Sequence, residues 1–392
     1  MAALQVRPQL CWGGSGGGRR AAGGGKMAAA RVRVLSVAAK GGKTPEVKRI
    51  EGVSEELNAI ARQNIDFGTM RRRVRSAFID TQQQLDHPLF KLAPSGIQME
   101  ERYEVNSRGL EIFCKSWFPP SSDDVGLKGC VFFCHGYGDT CTFFFEGIAK
   151  RIAAAGYGVF AMDYPGFGLS QGLHGYIPSF DKLVDGVIEH YAKVREKPLI
   201  KRLPHFLFGQ SMGGAVALKI QLKQPDAWDG MILVAPMCKI AADVTPSNTV
   251  IKIASLLSII LPKAKLFPRQ DLSELMFREP DKKKMAQFNV IAYDDKMRLR
   301  TGIELLKTTK DIESRVREVS APLLVLHGSG DMVTDPQVSE FLYENASSSD
   351  KTLKLYEGGY HCILEGETDE RIFQVLNDII SWLDVHSMLQ SA

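Results

Sequence analysis

The residues Gly209-Gln210-Ser211-Met212-Gly213 constrain this chain most, because of what stands on either side of them. Before them, Pro204-His205-Phe206-Leu207-Phe208 is a short apolar and aromatic run that reads as a buried strand. After them, residues 214–222 read as a helix packed on that strand. Strand, G-x-S-x-G and helix in succession is the context of a nucleophile elbow, a turn so tight that small residues must flank the serine. Gly209 and Gly213 provide them, and the strained turn pushes the Ser211 hydroxyl out past the strand's carboxyl end. A bare G-x-S-x-G arises by chance in a chain with 36 glycines. The flanking strand and helix set this one apart.

Such an elbow calls for an oxyanion loop before it and an acid and a histidine after it, in that order. Upstream, residues 129–134 read as a strand running into His135-Gly136-Tyr137-Gly138, where the loop after the third strand of an α/β-hydrolase lends a backbone N–H to an oxyanion hole. The two donors would be the amides of Tyr137 and Met212, and losing one such donor typically costs about 2.7–4 kcal/mol. The alternative is an ordinary Gly-rich strand-to-loop turn. His135 reads as structural, holding the loop. Downstream, the apolar strand 322–327 ends in Gly328-Ser329-Gly330-Asp331, an acid just past a strand end. Asp335 competes, but it precedes Pro336 and a helical run, the pattern of an N-cap with proline at the first helical position. Asp331 is therefore the expected acid. A further strand, 352–356, leads through Glu357-Gly358-Gly359-Tyr360 to His361. Of eight histidines, His361 alone follows both serine and acid in a loop; His327 ends a strand and His386 lies in a C-terminal helix. In that arrangement His361 takes the Ser211 proton, Asp331 fixes the imidazole tautomer, and water hydrolyses the acyl-enzyme. No metal or organic cofactor is expected: the seven cysteines are scattered and form no C-x-x-C.

The net charge of +4 is unevenly distributed. Residues 1–45 hold eight Lys and Arg and no acid, which leaves 41 basic and 45 acidic residues for the rest. A mildly acidic body argues against nucleic acid as a partner. The acid-free leader lacks a 7–15-residue apolar stretch, so a secretory signal is not expected. It reads instead as a disordered plastid transit peptide, with processing near Val37-Ala38-Ala39 and chloroplast localisation, although it is poor in Ser and Met27 offers an alternative start. Cysteines odd in number, with Cys130 and Cys134 on one strand and Cys362 beside His361, read as small buried hydrophobes in a reducing compartment.

Residues 46–95 read as a charge-rich helical N-terminal extension, with helices from Ser54 and from Thr69. Arg71, Arg72, Arg73 and Arg75 crowd one turn and read as a solvated helix face, with contact to an anionic membrane as the alternative. From 96 onward, strands alternate with helical stretches, which gives a mostly parallel sheet covered on both faces over 96–236 and 322–392. Between them the rhythm stops, and 237–321 reads as a helical lid. Nine of the twelve residues 250–261 are apolar, too short a span to cross a bilayer, which needs about 20 residues. They read either as a buried lid helix or as an apolar wall that meets an acyl chain or dips into lipid.

The ordered set resembles the monoacylglycerol lipase group of serine hydrolases, often labelled "serine aminopeptidase", and within it the plant branch that includes caffeoylshikimate esterases. The resemblance rests on 135–138, Asp163 with Gly166, Gly168 and Ser170, 209–214, 234–238 and 328–331, and covers roughly 97–387. It implies an α/β-hydrolase fold, the triad Ser211, Asp331 and His361, the Tyr137 and Met212 amides as oxyanion hole, and a lid bordering an acyl tunnel. Gln210 departs from the Glu that many plant relatives carry, residues 1–96 have no counterpart in the compact animal lipases, and no histidine begins the H-x-x-x-x-D acyltransferase signature. The expected activity is hydrolysis of monoacylglycerols through an acyl-enzyme on Ser211, with lysophospholipids as an open extension of the same chemistry. The alternatives are a hydroxycinnamoyl ester such as caffeoyl shikimate as substrate, or a low-turnover ligand receptor on the same fold.

Overall fold

The structure, a computed structural model, describes residues 49–120, 126–240, 247–266 and 272–391. The expected leader over 1–45 lies outside the described residues. Eight strands form one sheet: β1 (Gln98–Val105), β2 (Glu111–Phe118), β3 (Gly129–Cys134), β4 (Tyr157–Met162), β5 (His205–Gln210), β6 (Gly230–Val234), β7 (Leu323–Gly328) and β8 (Lys351–Tyr356). Their spatial order is β1-β2-β4-β3-β5-β6-β7-β8. The β1–β2 hairpin is antiparallel and joins β4 antiparallel; every later pairing is parallel. This is the mostly parallel α/β-hydrolase sheet expected from the alternation of strands and helices. β3, β5, β6 and β7 are buried along their whole length, which is why they read as apolar runs without alternation.

The pleat divides the core into two layers. Cys130, Phe132 and Cys134 of β3 face one hydrophobic layer, and Val131 and Phe133 face the other. Helices α1 (Glu55–Ala61), α2 (Gly68–Gln83), α3 (Pro88–Lys91) and α4 (Phe144–Ala154) lie with α12 (Asp369–Ser391) on the second layer. Helices α5 (Phe180–Arg195), α6 (Met212–Lys223) and α11 (Pro336–Asn345) cover the first. On α12, Ile372, Val375, Leu376, Ile379 and Leu383 repeat at helical spacing and are fully or almost fully buried. Each such side chain contributes about 1.5–3 kcal/mol by leaving water.

The segment between β6 and β7 carries α7 (Asn248–Ile260), α8 (Ser273–Met276), α9 (Pro280–Ala286) and α10 (Leu299–Arg315). It is helical, as expected of a lid. The alternative of a buried lid helix does not hold for α7. Ser258 is its buried residue, whereas Val250, Ile253, Leu256, Leu257, Ile259 and Ile260 are exposed, Ile260 by 76%. α7 is apolar on both sides, so packing one side on α10 leaves the other uncovered.

The extension, from Ile50 onward, packs as part of the main body: Val74, Phe78 and Leu89 are fully buried in the second layer. Ser54 caps α1 as expected, accepting from Leu57 N. The solvated-face reading of the arginine cluster fails at Arg71, which has no exposed surface. Its guanidinium donates to the carbonyls of Ile65, Asp66, Gly168, Ser170 and Gly172 at 2.9, 3.2, 2.5, 2.6 and 3.3 Å. Arg71 thus holds the loop after β4, and Arg73 is the exposed member of the cluster.

Candidate active site

Ser211 stands between β5 and α6 with φ +53° and ψ −119°. That left-handed backbone, unusual for a residue with a side chain, is the elbow's strain, worth of order 1–3 kcal/mol. Three hydrogen bonds hold the turn: Ser211 N–H donates to Val234 O, and Gly214 N–H and Met237 N–H both donate to Ser211 O, each at 2.9 Å. The flanking glycines are demanded by contact. A Cβ on Gly209 would sit 2.5 Å from Gly213 O, and one on Gly213 would overlap the Cys134 carbonyl. Ala235, on the neighbouring strand end, is the other described non-glycine with positive φ, at +44°. Its sequence context gave no hint of it.

The acid and base loops are stitched together. Ser329 N–H donates to Tyr356 O and Gly330 N–H to Gly359 O, both at 2.9 Å, and a Cβ on Gly328 would collide with the Gly359 carbonyl. This approach brings His361 Nδ1 to 2.7 Å from Asp331 Oδ2 and His361 Nε2 to 3.1 Å from Ser211 Oγ. Three residues spread over 150 positions of sequence thus form one hydrogen-bonded chain, with Asp331 and His361 buried. Asp335 does not join it. Its side chain caps α11 by accepting from Gln337 N at 2.9 Å.

Asp331 is held more completely than its sequence position suggested. Oδ1 accepts from the backbone N–H groups of Val333 and Thr334 at 2.7 and 3.0 Å. Oδ2 accepts from Thr334 Oγ1 at 2.8 Å and faces His327 Nε2 at 3.0 Å besides His361. Burial alone would raise this carboxyl, but His361, His327 and these donors hold it well below the usual carboxylate range. His361 is pulled down by burial and up by Asp331 and Glu365, and the balance lies above the ordinary imidazole value. His327, read from the sequence as a strand end only, is the residue sequence reasoning missed here. Its signal was its place four positions before Asp331 on the same strand end, and Ser339 Oγ fixes its other ring nitrogen at 2.7 Å.

The loop after β3 passes beside the elbow, where a Cβ on Gly136 would lie 3.6 Å from Ser211 Cβ. His135 holds it in the structural role expected: Nδ1 lies 2.8 Å from Gly136 O, and Nε2 accepts from Tyr164 N at 3.1 Å. The first contact makes Nδ1 the protonated nitrogen. The β6–β7 segment holds the same loop, since Tyr293 N–H donates to Gly138 O at 2.7 Å. This segment and the base loop are tied as well, through Cys362 N–H to Met276 O at 3.0 Å. The six described cysteines are all free and buried, and burial pushes the Cys362 thiol far up, so it packs rather than reacts. Among the described residues one cluster has metal-ligand spacing, Glu104, Cys114 and His190, remote in the fold from the Ser211 chain.

Sheet order, elbow strain and the Ser–His–Asp chain define an α/β-hydrolase of the serine ester hydrolase kind. Residues 126–369 match the family described as "Serine aminopeptidase, S33", and the chain belongs to that family. It is 34% identical over 290 residues to caffeoylshikimate esterase of Arabidopsis thaliana, covering 74% of this chain and 86% of that protein. It is 30% identical over 279 residues to the monoglyceride lipase of Homo sapiens, covering 71% and 88%. Among solved structures, the monoacylglycerol lipase of Paleococcus ferrophilus superposes with a TM-score of 0.59 at 25% identity, over 71% of this chain and 99% of that one. The Saccharomyces cerevisiae monoglyceride lipase in complex with a substrate analog gives 0.63 at 23% identity, over 73% and 95%, a likeness of fold.

Proposed function

We propose that the protein hydrolyses monoacylglycerols through an acyl-enzyme on Ser211. In this reading His361 Nε2 accepts the Ser211 proton as Oγ attacks the ester carbonyl, and Asp331 keeps the Nδ1–H tautomer and stabilises the imidazolium. The Tyr137 and Met212 N–H groups take the oxyanion. His361 then returns its proton to the leaving glycerol oxygen. Water, activated by the same nitrogen, releases the fatty acid.

The observation that carries the substrate class is α7. Its exposed row of Val250, Ile253, Leu256, Ile259 and Ile260 belongs to the β6–β7 segment, which is hydrogen-bonded to the loop after β3 and to the base loop, and several relatives are monoglyceride lipases. A lid with an uncovered apolar side suits a substrate that arrives from an aggregate, with α7 resting on the surface of that aggregate. No described helix is long and apolar enough to cross a membrane. The second reading, hydrolysis of a hydroxycinnamoyl ester, is favoured by the identity to caffeoylshikimate esterase. Lysophospholipids, which present the same ester-linked acyl chain, are a further substrate class for this reading. The acid-free leader supports plastid targeting, and N-terminal sequencing of the mature protein from plant tissue tests it, with a start near residue 40 expected and a start at Met1 or Met27 contradicting it.

Side-by-side turnover of a monoacylglycerol and caffeoyl shikimate decides the substrate class. A higher kcat/KM for the monoacylglycerol is expected. Preference for the phenolic ester would replace this reading with the second, and failure of both with fluorophosphonate labelling intact would leave neither standing.

A further inference from the structure

Behind the Ser–His–Asp chain, a second hydrogen bond spans the same two loops. Gln210, the residue before the nucleophile, donates from Nε2 to Glu365 Oε1 at 2.8 Å. Glu365 stands four residues after His361, so this bond joins elbow to base loop much as the Ser211–His361 contact does. Both side chains are buried. Glu365 Oε2 has no hydrogen-bond partner, and the Cys362 thiol lies beside the carboxyl.

The Glu365 main chain is pinned from a third direction. Its carbonyl accepts from His87 Nε2 at 2.9 Å, and His87 Nδ1 accepts from Leu89 N at 3.2 Å, which fixes the donor tautomer. Burial lowers His87 to about 4, so it stays neutral and keeps that tautomer at working pH. Residues 50–95 thus reach the catalytic loops through His87.

A buried carboxyl without a cationic partner is costly unless it is neutral and hydrogen-bonded. Gln210 from the elbow, Cys362, His361 and the Leu364 backbone from its own turn, and Asp139 from the loop after β3 face Glu365. Among the described residues no lysine or arginine forms an ion pair with it. Burial raises Glu365, and Asp139 beside it is raised to about 7, chiefly by burial. An apolar pair of this size would fill the space without that cost. What the polar pair adds is a directional bond with one acceptable geometry.

We infer that the Gln210–Glu365 hydrogen bond is a positioning tie that locks the nucleophile elbow to the base loop and keeps His361 Nε2 in reach of Ser211 Oγ. Glu365 is a positioning residue acting through His361, and it touches no reacting atom. The inference rests on the reading of Ser211 and His361 as nucleophile and base.

The test uses the purified full chain and four variants: Glu365→Leu, Glu365→Gln, Gln210→Glu, and the exchange Gln210→Glu/Glu365→Gln. Each is checked for a native near-UV circular dichroism spectrum. Fluorophosphonate labelling rate and ester kcat and KM are then followed against pH. Glu365→Leu is expected to lower kcat and labelling on the order of tenfold with KM little changed, the loss for a displacement smaller than the roughly 1 Å misplacement that can cost about 10²-fold. Glu365→Gln keeps shape and one amide contact, and its acid limb should move to lower pH because a carboxyl facing His361 is gone. Gln210→Glu sets two carboxyls together and should move that limb up. The exchange variant restores one acid and one amide, and should recover the rate to within about threefold of wild type if the bond is what matters. The inference is overturned if a natively folded Glu365→Leu keeps the wild-type rate, or if the exchange is no faster than the slower single variant. Ser211→Ala separates the two claims. If wild type and Ser211→Ala label alike, the nucleophile reading has failed; if only wild type labels and the Glu365 variants match it, the tie alone has failed.

Discussion

Replacing Arg71 by Met should cost this protein far more stability than replacing Arg73, although the two arginines are neighbours but one on α2. Arg71 has no exposed surface and donates to five backbone carbonyls, three of them in the loop after β4, 97 to 101 residues away in sequence. Burial lowers its pKa to about 10, so the guanidinium remains charged at neutral pH. Removing the charged partner from a buried network leaves the acceptors uncompensated and costs about 3–5 kcal/mol. Five acceptors place Arg71 toward the upper end. For a unit running from Ile50 to the C-terminus, an unfolding entropy near 2.1 cal/mol/K per residue turns that into a fall of roughly 4–7 °C in Tm. Arg73→Met, at an exposed position, should stay within about 0.5 kcal/mol of wild type. The assay is urea unfolding of wild type and both variants, read by tryptophan fluorescence and far-UV circular dichroism. The loop that Arg71 holds also carries Tyr164, whose N–H meets His135, so Arg71→Met should lose ester turnover at temperatures where it is still folded. Equal midpoints for Arg71→Met and Arg73→Met would refute the reasoning and restore a solvated helix face.

Asp331→Asn should reduce kcat on the order of 10⁴-fold, because the amide can donate to His361 Nδ1 and favour the wrong tautomer; steady-state kinetics with one soluble ester check it, and a loss under tenfold contradicts it. The acid limb of kcat/KM should have its midpoint above 6.5. Neutral His361 is the active form and its folded pKa is raised, while Asp331 stays ionised throughout the range. By the same sign, the stability that protonated His361 gains from Asp331 is present below the unfolded value near 6.5 and lost as pH rises through the folded one. In Asp331→Asn the limb should move down, and a pH–rate series reads it. Ile259→Ser/Ile260→Ser, at the exposed end of α7, should raise KM for micellar monoacylglycerol and leave a soluble short-chain ester unchanged; equal effects on both would remove the interfacial role of α7.

Much of the site was readable because its signals are local. Gly209 and Gly213 announce the elbow by their absence of side chains, and the acid follows the apolar strand β7, and the base the more polar strand β8, by a few residues. The Asp335–Pro336 step marks a helix start, and the structure uses it so. What stayed hidden depends on partners distant in sequence. A run of arginines at 71–75 looks like a charged surface, and nothing nearby reveals that carbonyls about 100 residues on will enclose one of them. His327 looked like the end of a strand because its partners, Asp331, Thr334 and Ser339, converge only when the chain turns. The apolar run 250–261 fits a buried or an exposed helix equally well, since hydropathy does not say what packs against it. Glu365 has no motif around it, and its tie to Gln210 is purely tertiary.

The most direct measurement is covalent labelling of the full-length protein with a fluorophosphonate, followed by peptide mass mapping across pH 5–9. The account predicts one stoichiometric adduct on Ser211, formed faster as His361 loses its proton and abolished in Ser211→Ala and His361→Ala. An unlabelled Ser211, or an adduct on another residue that persists in Ser211→Ala, would contradict it.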